Sequence, residues 1–241
     1  CFFSFQRTTM KTIYFIRHAE SEENRRLLRW VRTFRTLATG AIPSPSDIRL
    51  AFEMCRITEN VDSPLSAQGR DQIKDMRKLL DKEDFYKKSG IELVAHSPLT
   101  RAKETAQGML PAHAKMEQLD WLREKKLKEW FVKEPFLDRI RQVEEWIDQQ
   151  EATTICLVGH SQHFKKMLQL KRKFGNCNVM RTTYDGTWST DIELVHKCER
   201  QQEPMWENAA PETAPHEEVC NNASLWQCFL THLCSGHHKT L

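Results

Sequence analysis

The chain has 241 residues, 39% of them hydrophobic, and a formal net charge of +3 at pH 7, enough for one sizeable packed domain with a tail. So mild a charge, with no compact basic run interleaved with aromatics, argues against nucleic acid as a partner, and no apolar stretch reaches the ~20 residues of a membrane span. The eight cysteines form no CxxC pair, so a reduced, cytoplasmic protein is expected.

Residues 1–9, CFFSFQRTT, lack the basic start and cleavage site of a secretory signal. Met10 opens MKTIYFIRHAE and reads as the natural start, unless the N-terminus is a fragment. The run TIYFI at 12–16 is short, rich in β-formers and bounded by charge, which predicts a buried strand. Residues 20–38 are predicted as a helix, with Leu27, Trp30, Val31, Phe34 and Leu37 at helical spacing and Arg25, Arg29 and Arg32 on the other face. After a break at 39–47 a short helix is expected through 48–57. DSPLSAQGRDQIKDMRKLL, from Asp62, predicts a turn and then a helix that buries Ile73, Met76, Leu79 and Leu80. IELVA at 91–95 is a second buried strand, and a helix follows in 99–109. A helix over 134–150 is carried inward by Leu137, Ile140, Val143, Trp146 and Ile147. TTICLV at 153–158 is the third strand, and a helix runs from Ser161 to about Leu170. The last predicted element is a hairpin, two extended arms around Asp185-Gly186. Apolar strands alternating with amphipathic helices predict a three-layer α/β/α sandwich with a mostly parallel central sheet. Such sheets bind ligands at the carboxyl ends of their strands.

The three strands end in Arg17-His18, in His96-Ser97-Pro98 with Arg101, and in Gly159-His160. On one sheet edge, Arg17, His18, Arg101 and His160 would form a site for a dianion. Guanidiniums bind phosphate oxygens bidentately, and a neutral imidazole can attack phosphorus. The helix opening at Ser161, capped by that serine, could aim N–H groups at the same oxygens. His96, His113 and His163 read as surface or rim residues.

The blocks IRHAESEEN (16–24), DSPLSAQGRDQ (62–72), SPLTRAKETA (97–106) and LVGHS (157–161), in this order, resemble the signature segments of the histidine phosphatase, or phosphoglycerate mutase-like, superfamily. The resemblance implies the phosphoglycerate mutase-like form of the sandwich for a domain over 10–198, with a helical insertion at about 25–61. It implies that His18 is the phosphoryl-accepting nucleophile. Arg17, Arg101 and His160 would form the phosphate pocket, and Asn24 would orient the group. The family's proton donor follows the third block, which points to Glu124 in LREKKLKEW, with Glu129 as rival. Lys128 stands where the family has glycine. Ala19 replaces the signature glycine, Ser161 replaces a frequent glycine, and His96 replaces a frequent serine.

The activity implied is hydrolysis of a phosphomonoester through a phosphohistidine, an acid phosphatase-type reaction that needs neither metal nor cofactor. A mutase-type phosphotransferase, or a non-catalytic phospho-binding module, is the alternative. The partner is a phosphorylated small molecule, with a phosphoprotein as a second candidate. The arginine face of 25–35 would lie near the pocket mouth and draw in polyanionic substrates. Residues 199–241 have no periodicity and read as a disordered tail; Cys220, Cys228, His232, Cys234, His237 and His238 within it match no zinc-site spacing.

Overall fold

The structure, a computed structural model, describes residues 9–26, 33, 36, 42, 44, 45, 49, 62–125, 129, 132–172 and 174–200. Most of the helix expected over 20–38, the helix expected through 48–57, Arg29, Arg32, and all but the first two residues of the 199–241 tail lie outside them.

Strand β1 is Lys11–Arg17, and α1 is Ala67–Lys82. The short helix α2 (Phe85–Ser89) leads to β2 (Leu93–His96) and α3 (Thr100–Met109). Strand β3 (Met116–Gln118) and a 3₁₀ turn at Asp120–Leu122 precede α4 (Glu134–Gln149). Strand β4 is Thr154–Gly159, α5 is Ser161–Met167, and β5 (Val179–Tyr184) and β6 (Glu193–His196) close the fold. The sheet order is β3-β2-β4-β1-β5-β6. The first four strands run parallel, and β5 and β6 are antiparallel additions on one side.

Alternation along each strand explains the layers, because successive side chains point to opposite faces. Ile13, Phe15, Leu93, Ala95, Ile155 and Leu157 meet α4 and α5 through Phe136, Ile140, Val143, Ile147 and Phe164. Tyr14, Ile16, Val94, Cys156 and Val158 meet α1 and α3 through Ile73, Met76, Leu80, Ala106 and Met109. The expected three-layer α/β/α sandwich is therefore present, with a mostly parallel sheet.

Several local expectations fail for identifiable reasons. Leu137 stays 36% exposed, because Phe136 takes the inward position one residue earlier in the turn. Ser161 is the first helical residue of α5 rather than its cap, which is His160. His96 and His163 are buried rather than at the surface, since the sheet edge and α5 are both covered there; His113 is exposed as expected. The hairpin opens at Gly186, whose φ of 97° suits glycine. Its return arm bridges at Trp188 and rejoins β5 only at Glu193, with an irregularity between Val179 and Met180. Strand β3 and helix α2 were not predicted, being too short to carry a period.

Candidate active site

Register places the site. On the parallel pair β1 and β4, Arg17 lies opposite Gly159, and on β2 and β4, His96 lies opposite Val158. The ladder runs on one step, with the N–H of His18 donating to the Gly159 carbonyl and that of Ser97 donating to Val158, each at 2.9 Å. His18, Ser97 and His160 thus leave the sheet side by side at the carboxyl ends of three adjacent strands. The rings of His18 and His160 lie 4.9 Å apart.

His18 is 1% exposed. Its Nδ1 lies 2.7 Å from the Ala19 carbonyl oxygen, which can only accept, so Nδ1 carries the proton and Nε2 keeps a free lone pair. Burial, then the neighbouring His160 and Arg101, hold its pKa well below the ordinary value for histidine. The ring is neutral near pH 7, the form a nucleophile requires. Burial, Arg101 and His163 likewise hold His160 neutral. Ser97 Oγ lies 2.9 Å from His160 Nε2, leaving Nδ1 to face a Glu124 oxygen at 3.4 Å.

Arg101 enters from the first turn of α3, with its side chain only 3% exposed. Its Nη2 donates to Glu124 at 2.5 Å, and its Nη1 lies 3.3 Å from a carboxylate oxygen of Glu23. Arg17 donates from Nη1 to the Phe174 carbonyl at 2.9 Å. Four buried nitrogens remain without a hydrogen bond here: Arg17 Nε, Arg101 Nε and Nη1, and His160 Nδ1. Buried guanidinium donors left unmatched are costly, and several around one imidazole describe a place for an oxyanion.

Glu124 sits after the 3₁₀ turn, about a third exposed. Partial burial pushes its carboxyl up, but the charges of Arg101 and Arg17 and the hydrogen bond from Arg101 outweigh that and leave it lowered, hence ionised when the pocket is empty. The rival Glu129 is buried and engaged in a two-pronged pair with Arg139, one arm 2.8 Å long. Asn24 uses its side-chain oxygen on Ser21, accepting from the Ser21 hydroxyl at 3.0 Å and the Ser21 N–H at 3.3 Å, while its own N–H donates to Ser21 Oγ. This reciprocal capping fixes the turn at 21–26. Of the six residues singled out, Arg17, His18, Arg101, Glu124 and His160 come together, and Asn24 is bound to the neighbouring turn.

Donor atoms of His18, Glu124 and His160 lie within 4.8 Å of one another, a spacing that could hold a metal ion. Arg101 already occupies the Glu124 oxygen, and the charges of Arg17 and Arg101 repel a cation, so the set suits an anion better.

Sequence reasoning missed the residues that hold these side chains in place. Thr105 Oγ1 accepts the Ala19 N–H at 2.9 Å, and Asn176 donates to the His18 carbonyl at 2.7 Å. Gln72 accepts from the Glu20 N–H at 2.8 Å, and Ser66 donates to the Glu20 carboxylate at 2.6 Å while capping α1 through the Gly69 N–H at 2.9 Å. Gly69 permits that contact, because a Cβ there would lie 2.0 Å from the Glu20 carbonyl oxygen. Asp62 accepts from the N–H and hydroxyl of Thr100, satisfying the start of α3. The DSPLSAQGRDQ block is thus the buttress of the His18 loop, and its polar spacing was the available signal. Phe174 and Asn176 had none, being brought back by the turn after α5.

Residues 53–155 match the family model of the Histidine phosphatase superfamily (branch 1). Comparison with curated protein sequences returns no match. Among solved structures the chain is similar to Bacillus stearothermophilus YhfR, with 18% identity, a TM-score of 0.50, and coverage of 76% of this chain and 96% of that one. It is similar to phosphoglycerate mutase from Bacillus anthracis str. Sterne, with 18% identity, a TM-score of 0.50, and coverage of 78% and 94%. A third is phosphoserine phosphatase from Entamoeba histolytica, in complex with 3-phosphoglyceric acid, with 14% identity, a TM-score of 0.46, and coverage of 75% and 98%. At these identities the likeness concerns the fold. The segment that matches the family model carries Arg101 and Glu124, and the two flanking strand ends deliver His18 and His160 beside them.

Proposed function

We propose that the chain is a phosphatase that hydrolyses a phosphomonoester through a phosphohistidine on His18, without a metal. The observation that carries this reading is the set of unmatched buried donors of Arg17, Arg101 and His160 around a neutral imidazole with a free Nε2. In the first step Nε2 attacks phosphorus in line, the P–N bond forms and the bond to the leaving oxygen breaks. Arg17, Arg101 and His160 Nδ1–H take up charge on the equatorial oxygens, a preorganised field of the kind that supplies most of phosphoryl-transfer catalysis. The Nδ1–H bond to the Ala19 carbonyl stabilises the positive charge that develops on the ring.

Glu124 gives the leaving oxygen its proton, then takes one from the water that attacks phosphorus and breaks the P–N bond. It is ionised in the empty pocket, so it must gain its proton as substrate binds. The phosphate dianion provides the means, since it competes for Arg101 and so weakens the charge that holds Glu124 low. Asn24 would contribute only by turning away from Ser21 towards the bound group.

Hydrolysis is favoured over the mutase reaction by the mouth of the pocket. A mutase must retain a second phosphoryl group beside the first, whereas the described side chain paired with Arg101 beside Glu124 is the carboxylate of Glu23. The substrate is a phosphorylated small molecule, with a phosphoprotein as the larger candidate.

The test is chemical trapping. Brief incubation with a labelled phosphomonoester should leave label on His18 that survives base and is lost in acid, with turnover unaffected by a chelator. Label retained by His18→Ala, or activity abolished by the chelator, would overturn the mechanism.

A further inference from the structure

We infer that Glu23 selects substrate by charge: the enzyme favours phosphomonoesters whose leaving group carries an ammonium or similar cation and disfavours those carrying a carboxylate or second phosphate. This deepens the phosphatase reading and rests on it. One guanidinium carries two carboxylates, with Glu124 on Arg101 Nη2 at 2.5 Å and Glu23 on Nη1 at 3.3 Å. These are adjacent terminal nitrogens of one planar group, so the two carboxylates flank the same edge. Glu124 is the proton donor, which puts the leaving oxygen on its side of the phosphate. Whatever is attached to that oxygen leaves past Glu23.

Glu23 is held there by its backbone. Its N–H donates to Ser63 Oγ at 3.0 Å, the preceding N–H of Glu22 donates to the Pro64 carbonyl at 3.1 Å, and Ser21 bridges to Leu65. The side chain reaches from that pinned turn to buried Arg101 while staying 36% exposed, open to a group arriving at the mouth. Among the described residues, the charges facing it are Arg101, Glu124, Arg26 and Asp62. Arg26 is exposed, Asp62 is held by Thr100, and Arg25 is turned to Glu22 at 3.4 Å. When phosphate takes its share of Arg101, Glu23 loses its principal partner and becomes an acceptor for a cation. A leaving group with a carboxylate meets repulsion at the same point.

The experiment compares phosphorylethanolamine with phosphoglycolate, two small alkyl phosphates of opposite leaving-group charge, in the unmutated chain and in Glu23→Gln and Glu23→Lys. A single charge contact at a partly exposed site changes kcat/KM by about tenfold. The unmutated enzyme should therefore prefer phosphorylethanolamine by at least that factor, Glu23→Gln should bring the ratio near unity, and Glu23→Lys should invert it. A ratio that Glu23→Gln leaves unchanged, or near-equal use of both compounds by the unmutated enzyme, overturns the assignment. Nitrophenyl phosphate, whose leaving group bears neither a cation nor a carboxylate, reports the phosphatase reading separately. Should it not be turned over, calorimetric binding of the two alkyl phosphates to the same three proteins still decides the role of Glu23.

Discussion

His163 offers a quantitative test of how the layer behind the site is built. The ring is fully buried on α5, one turn beyond His160, edge-on to Phe136 at 5.5 Å and beside Phe164. Neither ring nitrogen has a hydrogen bond of good geometry. Burial, then the charge of Arg139, depress its pKa from 6.5 to about 4, with the Arg123 backbone and Glu129 pulling the other way. A depressed pKa means that the unfolded chain takes up a proton at a pH where the folded one does not. This part of the stability is intact above pH 6.5 and is lost as pH falls from there towards 4. Each pH unit within that window removes at most about 1.4 kcal/mol, so the ring withdraws about 2 kcal/mol by pH 5 and about 3 kcal/mol by pH 4. His163→Leu keeps the volume nearly constant and removes the titration. His18 destabilises both proteins alike on acidification and cancels in the difference, and His160 cancels apart from the part of its shift that His163 causes. Urea unfolding at pH 7.5, 6 and 5 should find the two proteins within about 1.5 kcal/mol of each other at pH 7.5. The variant should gain about 2 kcal/mol on its parent by pH 5. A difference that stays flat across this range would show that His163 is solvated or paired, and the burial argument would fail.

Glu124→Gln should cost about 100-fold with an alkyl phosphate and far less with nitrophenyl phosphate, because only the alkoxide needs its proton; equal losses in kcat/KM on both would remove Glu124 from that role. With the alkyl substrate the unmutated enzyme should slow as pH rises and Glu124 loses its proton, a dependence absent with the aryl one. Gly69→Ala places a Cβ 2.0 Å from the Glu20 carbonyl oxygen, backbone against backbone, and should cost about 3 kcal/mol in chemical denaturation, with activity falling as the His18 loop shifts; a neutral substitution would mean that this contact yields freely. A chain ended after Arg200 should keep its fold and activity, since Gln72 donates to the Arg200 carbonyl at 2.7 Å and Arg200 pairs with Asp75 on α1; insolubility would show that the domain needs residues beyond it.

The order of residues is enough to specify the sandwich and the place of His18 in it. Uninterrupted apolar runs such as TIYFI and TTICLV can be stable only as strands buried on both faces, and helices between them must cover those faces. Charged and titratable residues at the ends of three such runs then meet on one edge, whatever the detailed packing. Four short blocks with characteristic polar spacing carry the resemblance to the family for the same local reason, since each is a turn or strand end whose chemistry is contained in a few residues.

Tertiary structure decided what depends on contacts between distant segments. The sequence favoured Glu124 with Glu129 as rival, and packing brings Glu124 to Arg101 and His160 while giving Glu129 to Arg139. Asn24 carries the expected residue type, yet a local capping bond to Ser21 competes with the pocket for its side chain. Of the basic face expected at the pocket mouth, Arg25 is turned to Glu22, while Arg29 and Arg32 lie outside the described residues; the described side chain paired with Arg101 beside Glu124 is the acidic Glu23. The buttress of His18, made by Thr105 on α3 and Asn176 after α5, joins positions 86 and 158 residues away. Hydrogen bonds of that kind leave no period in a sequence, because the geometry that makes them exists only once the sheet has set its register.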